Sequence, residues 1–156
     1  MSVRIVVADE SKALFYDVER AGATPAFVGE LSDPQARLHD RDLKSDRPGR
    51  VFDHAAQPGR RGATAHHSTG GEHEAHKHEV ESFARTLAHA LETAHQHGDF
   101  RRLVVMAGPK FLGVLRQMLP RGVTATIVAE VPKDLVHQPA AAFLSHLPAE
   151  AFKSTD

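Results

Sequence analysis

The sequence contains no cysteine and no tryptophan, one tyrosine, and only 6% aromatic residues in 156. Without cysteine there is no disulfide scaffold, no thiolate zinc ribbon and no cysteine nucleophile. It also lacks a charge of one sign: 19 Lys/Arg stand against 20 Asp/Glu, a formal net charge of −1. That balance excludes a purely polybasic nucleic-acid binder. No apolar run approaches the roughly 18 residues that span a bilayer, so no membrane partner is expected. The start, Met1 to Asp9, is too short and too soon acidic for a secretory leader, which points to a cytoplasmic protein. What the chain has in excess is histidine, twelve in all. Their side chains titrate near pH 6.5, so mild acidification adds latent positive charge. At 41% hydrophobic residues, 156 positions suffice for one core and one domain over 1–156.

Val3 to Ala8 is a short β-branched apolar run and reads as a buried strand. A polar break, Asp9-Glu10-Ser11-Lys12, separates it from a second run over Ala13 to Val18, which implies a hairpin. Ala26 to Leu31 forms a third strand, reached through Gly22 and Pro25. Asp33 to Gly71 carries no sustained apolar period and is rich in Pro, Gly, Arg and Asp, the signature of a long mobile loop over 33–71. From Glu72 to His97 the period changes. Val80, Phe83, Ala84, Leu87, Leu91 and Ala94 recur at steps of three and four, an amphipathic helix that Gly98 stops. Leu103 to Ala107 is a strand, Lys110 to Leu119 a helix, Val123 to Val131 the last strand, and Pro132 opens a final helical region.

The order is βββαβαβα. Strands joined by short turns pair antiparallel, and those separated by helices pair parallel through right-handed crossovers. The expected fold is a three-layer α/β domain, a mixed five-stranded sheet with helices on both faces, in the order also found in ribonuclease H-like folds.

That order raises a two-metal nuclease, which needs several carboxylates converging on two ions. Asp9 ends the first strand where one ligand would belong, but the fourth strand ends Ala107-Gly108-Pro109-Lys110, and a lysine there opposes metal binding. Asp9 reads more simply as a hairpin residue bonded to its own turn. A second constellation is Asp46-Arg47-Pro48-Gly49-Arg50-Val51-Phe52-Asp53. Pro-Gly suits a type II turn, which would hold Arg47 and Arg50 together at a loop tip. Paired guanidiniums grip phosphate oxygens, and Arg60, Arg61 and Lys110 are candidates to extend the patch. Alternatively, Asp46 and Asp53 neutralise these arginines in a solvated loop.

Histidines concentrate between His66 and His97. His73 and His76 lie three apart on the N-terminal continuation of the Val80/Leu87 face and, with Glu72, are candidate metal ligands by type. No HExxH pattern accompanies them, and surface histidines on a helix explain the same facts, leaving adventitious divalent metal and no resident cofactor as the expectation. Gly70-Gly71-Glu72 stands just before the long helix as read from the periodicity, where glycine permits close backbone approach and Glu72 suits the positive helix end. No Ser/His/Asp pattern, P-loop or dinucleotide fingerprint is present, so the expectation is a protein with no catalytic residues.

Several segments together resemble the bacterial host attachment protein family. They are Val6-Val7-Ala8-Asp9 with Ser11-Lys12-Ala13, Asp46 to Asp53, Glu81-Ser82-Phe83-Ala84, Leu103 to Pro109, Phe111 to Arg116, and Lys133-Asp134-Leu135. The Arg-Pro-Gly-Arg-x-Phe-Asp segment is the most specific. The family is similar to the middle domain of archaeal and eukaryotic peptide-release factors and of Pelota, which carry the ribonuclease H-like arrangement. Release factors place Gly-Gly-Gln before a long helix, and Gly70-Gly71-Glu72 occupies a comparable place. The carboxylate of Glu72 is electrostatically unwelcome beside a peptidyl-tRNA ester, so the resemblance implies translation-related binding rather than peptide release. The resulting expectation is a non-enzymatic module for RNA or the ribosome, its phosphate contacts made by Arg47 and Arg50 with Arg60, Arg61 and Lys110. Protonated histidines flanking the loop would strengthen that surface below about pH 6.5. The rivals are a protein–protein or surface-attachment factor without nucleic-acid affinity, and a metal-dependent hydrolase using the His-rich segment. Oligomeric state is left open.

Overall fold

The computed structural model describes residues 2–33 and 58–153, the side chains of 58–72 excepted. Three strands come first: β1 (Val3–Ala8), β2 (Lys12–Val18) and β3 (Ala26–Ser32). A long helix follows, α1 (Pro58–Gln96), then β4 (Leu103–Ala107), α2 (Pro109–Met118), a one-turn helix α3 (Arg121–Thr124) and β5 (Ile127–Val131). The short helix α4 (Ala140–Leu144) and a 3-10 turn (Ala149–Phe152) complete the described chain. The strands form one mixed sheet in the order β3-β2-β1-β4-β5. β1, β2 and β3 run antiparallel, whereas β4 and β5 are parallel to β1 and to each other. The expected α/β architecture is therefore what the chain adopts.

β1 is central and buried throughout because it is covered on both faces. Its alternate residues divide between two cores. Val6 and Ala8 join Val105, Phe83, Leu87, Leu91, Phe111 and Leu115 beneath α1 and α2. Val3, Ile5 and Val7 join Val104, Met106, Val136 and Phe143 on the opposite face, beneath α4 and the C-terminal turn. The apolar period that marks α1 in the sequence is the row that packs: Val80, Phe83, Ala84, Leu87 and Leu91 are buried. Gly98, at φ +74°, takes the left-handed conformation that ends the helix, its N–H bonded to the His95 carbonyl.

Three boundaries differ from the sequence reading. α1 starts at Pro58, not at Glu72, so residues 58–71 of the expected loop are helical backbone; residues 34–57 lie outside the described residues. Proline is suited to the first helical position, and Ala63 and Ala65 favour the helix beyond it, but no apolar stripe announces this stretch. Gly70-Gly71-Glu72 consequently sits inside the helix rather than ahead of it. Glycine inside a helix costs roughly 0.5–1 kcal/mol against alanine. The double substitution G70A/G71A should therefore raise ellipticity at 222 nm and slow amide exchange around these positions. Unchanged exchange would contradict a continuous helix.

The strand expected from Val123 instead begins at Ile127. Pro120 caps α3, the Thr124 N–H donates to the Pro120 carbonyl, and Thr126 Oγ1 donates to the Val123 carbonyl at 2.6 Å, which folds Val123 into the core as a turn. The final helical region shrinks to α4 because Pro132 and Pro139 bracket an irregular stretch. Leu135 and Val136 are still buried there.

Candidate cleft at the carboxyl edge of the sheet

β1 and β4 are adjacent and parallel, yet the chain leaves their carboxyl ends in opposite directions, from β1 toward β2 and from β4 through α2 toward β5. Such a divergence opens a crevice, because neither connection crosses over the gap between the two strand ends. Here it is a cleft of about 500 Å³. One wall is the β1–β2 turn, Asp9, Glu10 and Ser11; the other is Gly108, Pro109, Lys110 and Phe111 at the start of α2, with Asp134 completing the lining.

Each wall has a local reason for its shape. Asp9 Oδ1 accepts the N–H groups of Ser11 and Lys12, both at 2.8 Å, and the Asp9 N–H donates to the Lys12 carbonyl. The aspartate thus builds the hairpin turn, as its place after a β-branched run suggests. Across the cleft, Gly108 caps α2 with no side-chain hydrogen bond, and Pro109 occupies the first turn. Among the described residues no side chain caps the first-turn N–H groups of α2, and they carry the positive end of the helix dipole. Phe111 forms a buried floor and stacks at 6.0 Å on Phe83 of α1. Asp134 Oδ1 accepts the Val136 N–H at 3.3 Å, a second aspartate held by its own turn.

α1 also reaches this edge. His76 Nε2 lies 3.0 Å from Glu10 Oε2, so the helix stands beside the cleft one turn before Val80, the first buried residue among those whose side chains are described. Residues 73–78 are exposed. On the other side, the Asp33 N–H donates to the Ser11 carbonyl at 2.7 Å, fixing the end of β3 to the same turn.

Of the candidate residues named from the sequence, Lys110 lies in the cleft, as does Asp9, weighed from the sequence as a metal ligand and read as a turn residue. Arg47, Arg50, Asp46, Pro48, Gly49, Phe52 and Asp53 lie outside the described residues. Arg60, Arg61, Gly70, Gly71 and Glu72 are placed on the α1 backbone only. His73 and His76 are exposed on α1, and among the described residues no group of three His, Asp or Glu side chains gathers to hold a metal ion. His76 faces Glu10 instead. The reading of the sequence missed Glu10, Ser11 and Asp134 as a constellation. The one signal available was that Asp9 to Lys12 and Lys133-Asp134 both follow strands directed at the same edge.

No helix among the described residues is long and apolar enough to cross a membrane. A family model described as a protein required for attachment to host cells matches residues 4–147. No curated protein matches the chain.

Proposed function

Because the chain belongs to the family of proteins required for attachment to host cells, we propose that it is a non-enzymatic binding module of that family, with RNA as its ligand. The observation that supports this is the placement of Lys110. It stands at the uncapped start of α2, makes no ion pair among the described residues, and shares its edge with Asp33, where the chain departs into the arginine-bearing segment. That segment, with Arg47 and Arg50, returns as the helix carrying Arg60 and Arg61. A lysine at a helix N-terminus and paired arginines are groups that bind phosphate. Such contacts position a nucleic-acid backbone without reading its sequence.

The test is RNA or ribosome binding by the full chain across a salt series. Converting Arg47 and Arg50 together to alanine should weaken binding on the order of tenfold and reduce the magnitude of the salt slope by about 1.4, two contacts at ~0.7 each for single strands. Equal affinity and equal slope in the double variant would refute the assignment of those arginines. A wild-type protein that binds neither RNA nor ribosomes would refute the reading as a whole.

A protein-partner reading draws on a different observation. Among the described strands β3 is at the edge of the sheet, and it exposes Phe27 (59%) and Val28 (48%). An exposed edge with apolar side chains can pair with a strand from another chain. Partner capture that is insensitive to salt and lost in F27S would favour it over the RNA reading.

A further inference from the structure

β3 is apolar in composition but not in its surroundings. None of its seven residues is buried, although Ala26, Phe27, Val28 and Leu31 are apolar; β1 and β4 are buried at every position. The register of β2 against β3 slips between Phe15 and Tyr16, so Gly29 faces Phe15, Phe27 faces Tyr16, and Val28 is the extra residue of a bulge. Phe27 and Val28 stand in solvent at this slip, and among the described residues they are two of the three large hydrophobic side chains that do. Edge strands that stay single are usually protected by lysine or proline. β3 has neither from Ala26 to Ser32, and its one charged residue, Glu30, is balanced by Lys12 of β2 at 3.7 Å.

We propose that β3 pairs with β3 of a second copy of this chain, joining two sheets across a two-fold axis. The proposal names the occupant for the strand-pairing reading of this edge, on which it rests, and it involves none of the phosphate-binding residues. Two identical edge strands related by a two-fold axis normal to the sheet run antiparallel and keep the same faces on the same side. The two Phe27 rings then share a face. That arrangement continues a row already present in each copy: Phe143 meets Tyr16 at 5.0 Å, Tyr16 meets Phe27 at 5.5 Å, both edge-on, and the row ends at an exposed ring. Aromatic side chains on neighbouring strands are favourable partners. The charges suit an identical strand as well. Antiparallel pairing sets the Glu30 end of one copy toward the β2–β3 turn of the other, which carries Glu19 and Arg20, both exposed, the arginine in no ion pair among the described residues. Neither end has an excess of one sign, and a net charge of −1 on the whole chain leaves little repulsion between copies. One strand pair is a small interface, so the dimer is weak and concentration-dependent.

The chain has no cysteine, so a single introduced one reports on this contact alone. Phe27, Val28, Gly29 and Glu30 are each replaced by cysteine in turn and the full chain is oxidised mildly; a Cβ added at Gly29 meets nothing within 4 Å. A disulfide requires Cα atoms within about 7 Å, so cross-linking should peak at the position nearest the axis and fall away on both sides. Val128→Cys, exposed on β5, controls for random collision and should cross-link at least about tenfold less than the peak position. Sedimentation of the unaltered chain should show its mass rise from one chain toward two between about 10 μM and 1 mM, the range of a small interface. Val28→Lys should abolish that rise and leave the circular dichroism spectrum in place. A monomer throughout the range would overturn the proposal, even where a different protein is captured through Phe27. Cross-linking that is uniform along β3, or equal at Val128, would overturn it, as would self-association that survives Val28→Lys.

Discussion

Phe143→Ala is expected to lower the free energy of unfolding by about 3–5 kcal/mol, the range for truncating a fully buried aromatic. Phe143 is completely buried and sits on α4, a helix of five residues that has little stability of its own. The face of the sheet it covers holds Ile5, Val7, Val104 and Met106, and among the described residues no long helix shields them as α1 shields the other side. The ring also meets Tyr16 edge-on, with centroids 5.0 Å apart at 70°, and Tyr16 in turn meets Phe27 at 5.5 Å. Such an aromatic pair adds roughly 0.5–1.5 kcal/mol beyond the area buried. Removing the ring therefore opens a cavity and releases the anchor of the C-terminal cover in one step. Urea unfolding followed by circular dichroism measures the loss. A cost under about 1.5 kcal/mol would mean that this face collapses around the vacancy and that α4 is held by other contacts.

The same asymmetry explains which parts of the molecule can be read from its sequence. β1 and β4 are conspicuous because both faces of each are buried, so Val3 to Ala8 and Leu103 to Ala107 are apolar at nearly every position. α1 declares itself from Val80 onward for the opposite reason: only one face packs, and its period shows. Upstream of Val80 the sequence carries no apolar row at helical spacing, and residues 73–78 are exposed, so a reading built on periodicity stops at the glycine pair. Val123 misleads in another way. A β-branched residue followed by Thr and Ile looks like strand, but its burial is achieved in a helical turn closed by Thr126. The cleft is the least legible feature. Asp9, Lys110 and Asp134 each have an ordinary local explanation, a turn, a helix start and a second turn. Their convergence comes from the pairing of β1 with β4, Ala8 opposite Ala107, across a long separation in sequence. Lys110 was accessible because its charge stood at a strand end; Glu10 and Asp134 were not, because nothing local marks them as neighbours.

Asp17→Ala is expected to destabilise the protein by about 2–3 kcal/mol, and a second substitution, Arg4→Met, should recover a large part of that loss. Arg4 and Asp17 are directly opposed across β1 and β2. The guanidinium donates from Nε to Oδ1 at 2.6 Å and from a terminal nitrogen to Oδ2 at 3.2 Å, a two-point contact. Arg4 is 8% exposed and is the one buried charged residue among those described. Its guanidinium carbon lies 5.6 Å from the centre of the Phe100 ring, so the group is held between a carboxylate and an aromatic face. Truncating the aspartate strands a cation in a site that water reaches poorly, which costs far more than the pair contributes in net stability. The usual range for breaking a buried pair, roughly 3–5 kcal/mol, is reduced here because the Asp17 side chain is 26% exposed and solvent can enter its place. Methionine at position 4 removes the stranded charge and keeps an unbranched stem against Phe100, where thioether and ring interact favourably. Urea denaturation of both single variants and the double variant closes the cycle. If the double variant is as unstable as the two single losses added together, the pair is not coupled, and Arg4 is retained for its packing against Phe100 rather than for its partner across the hairpin.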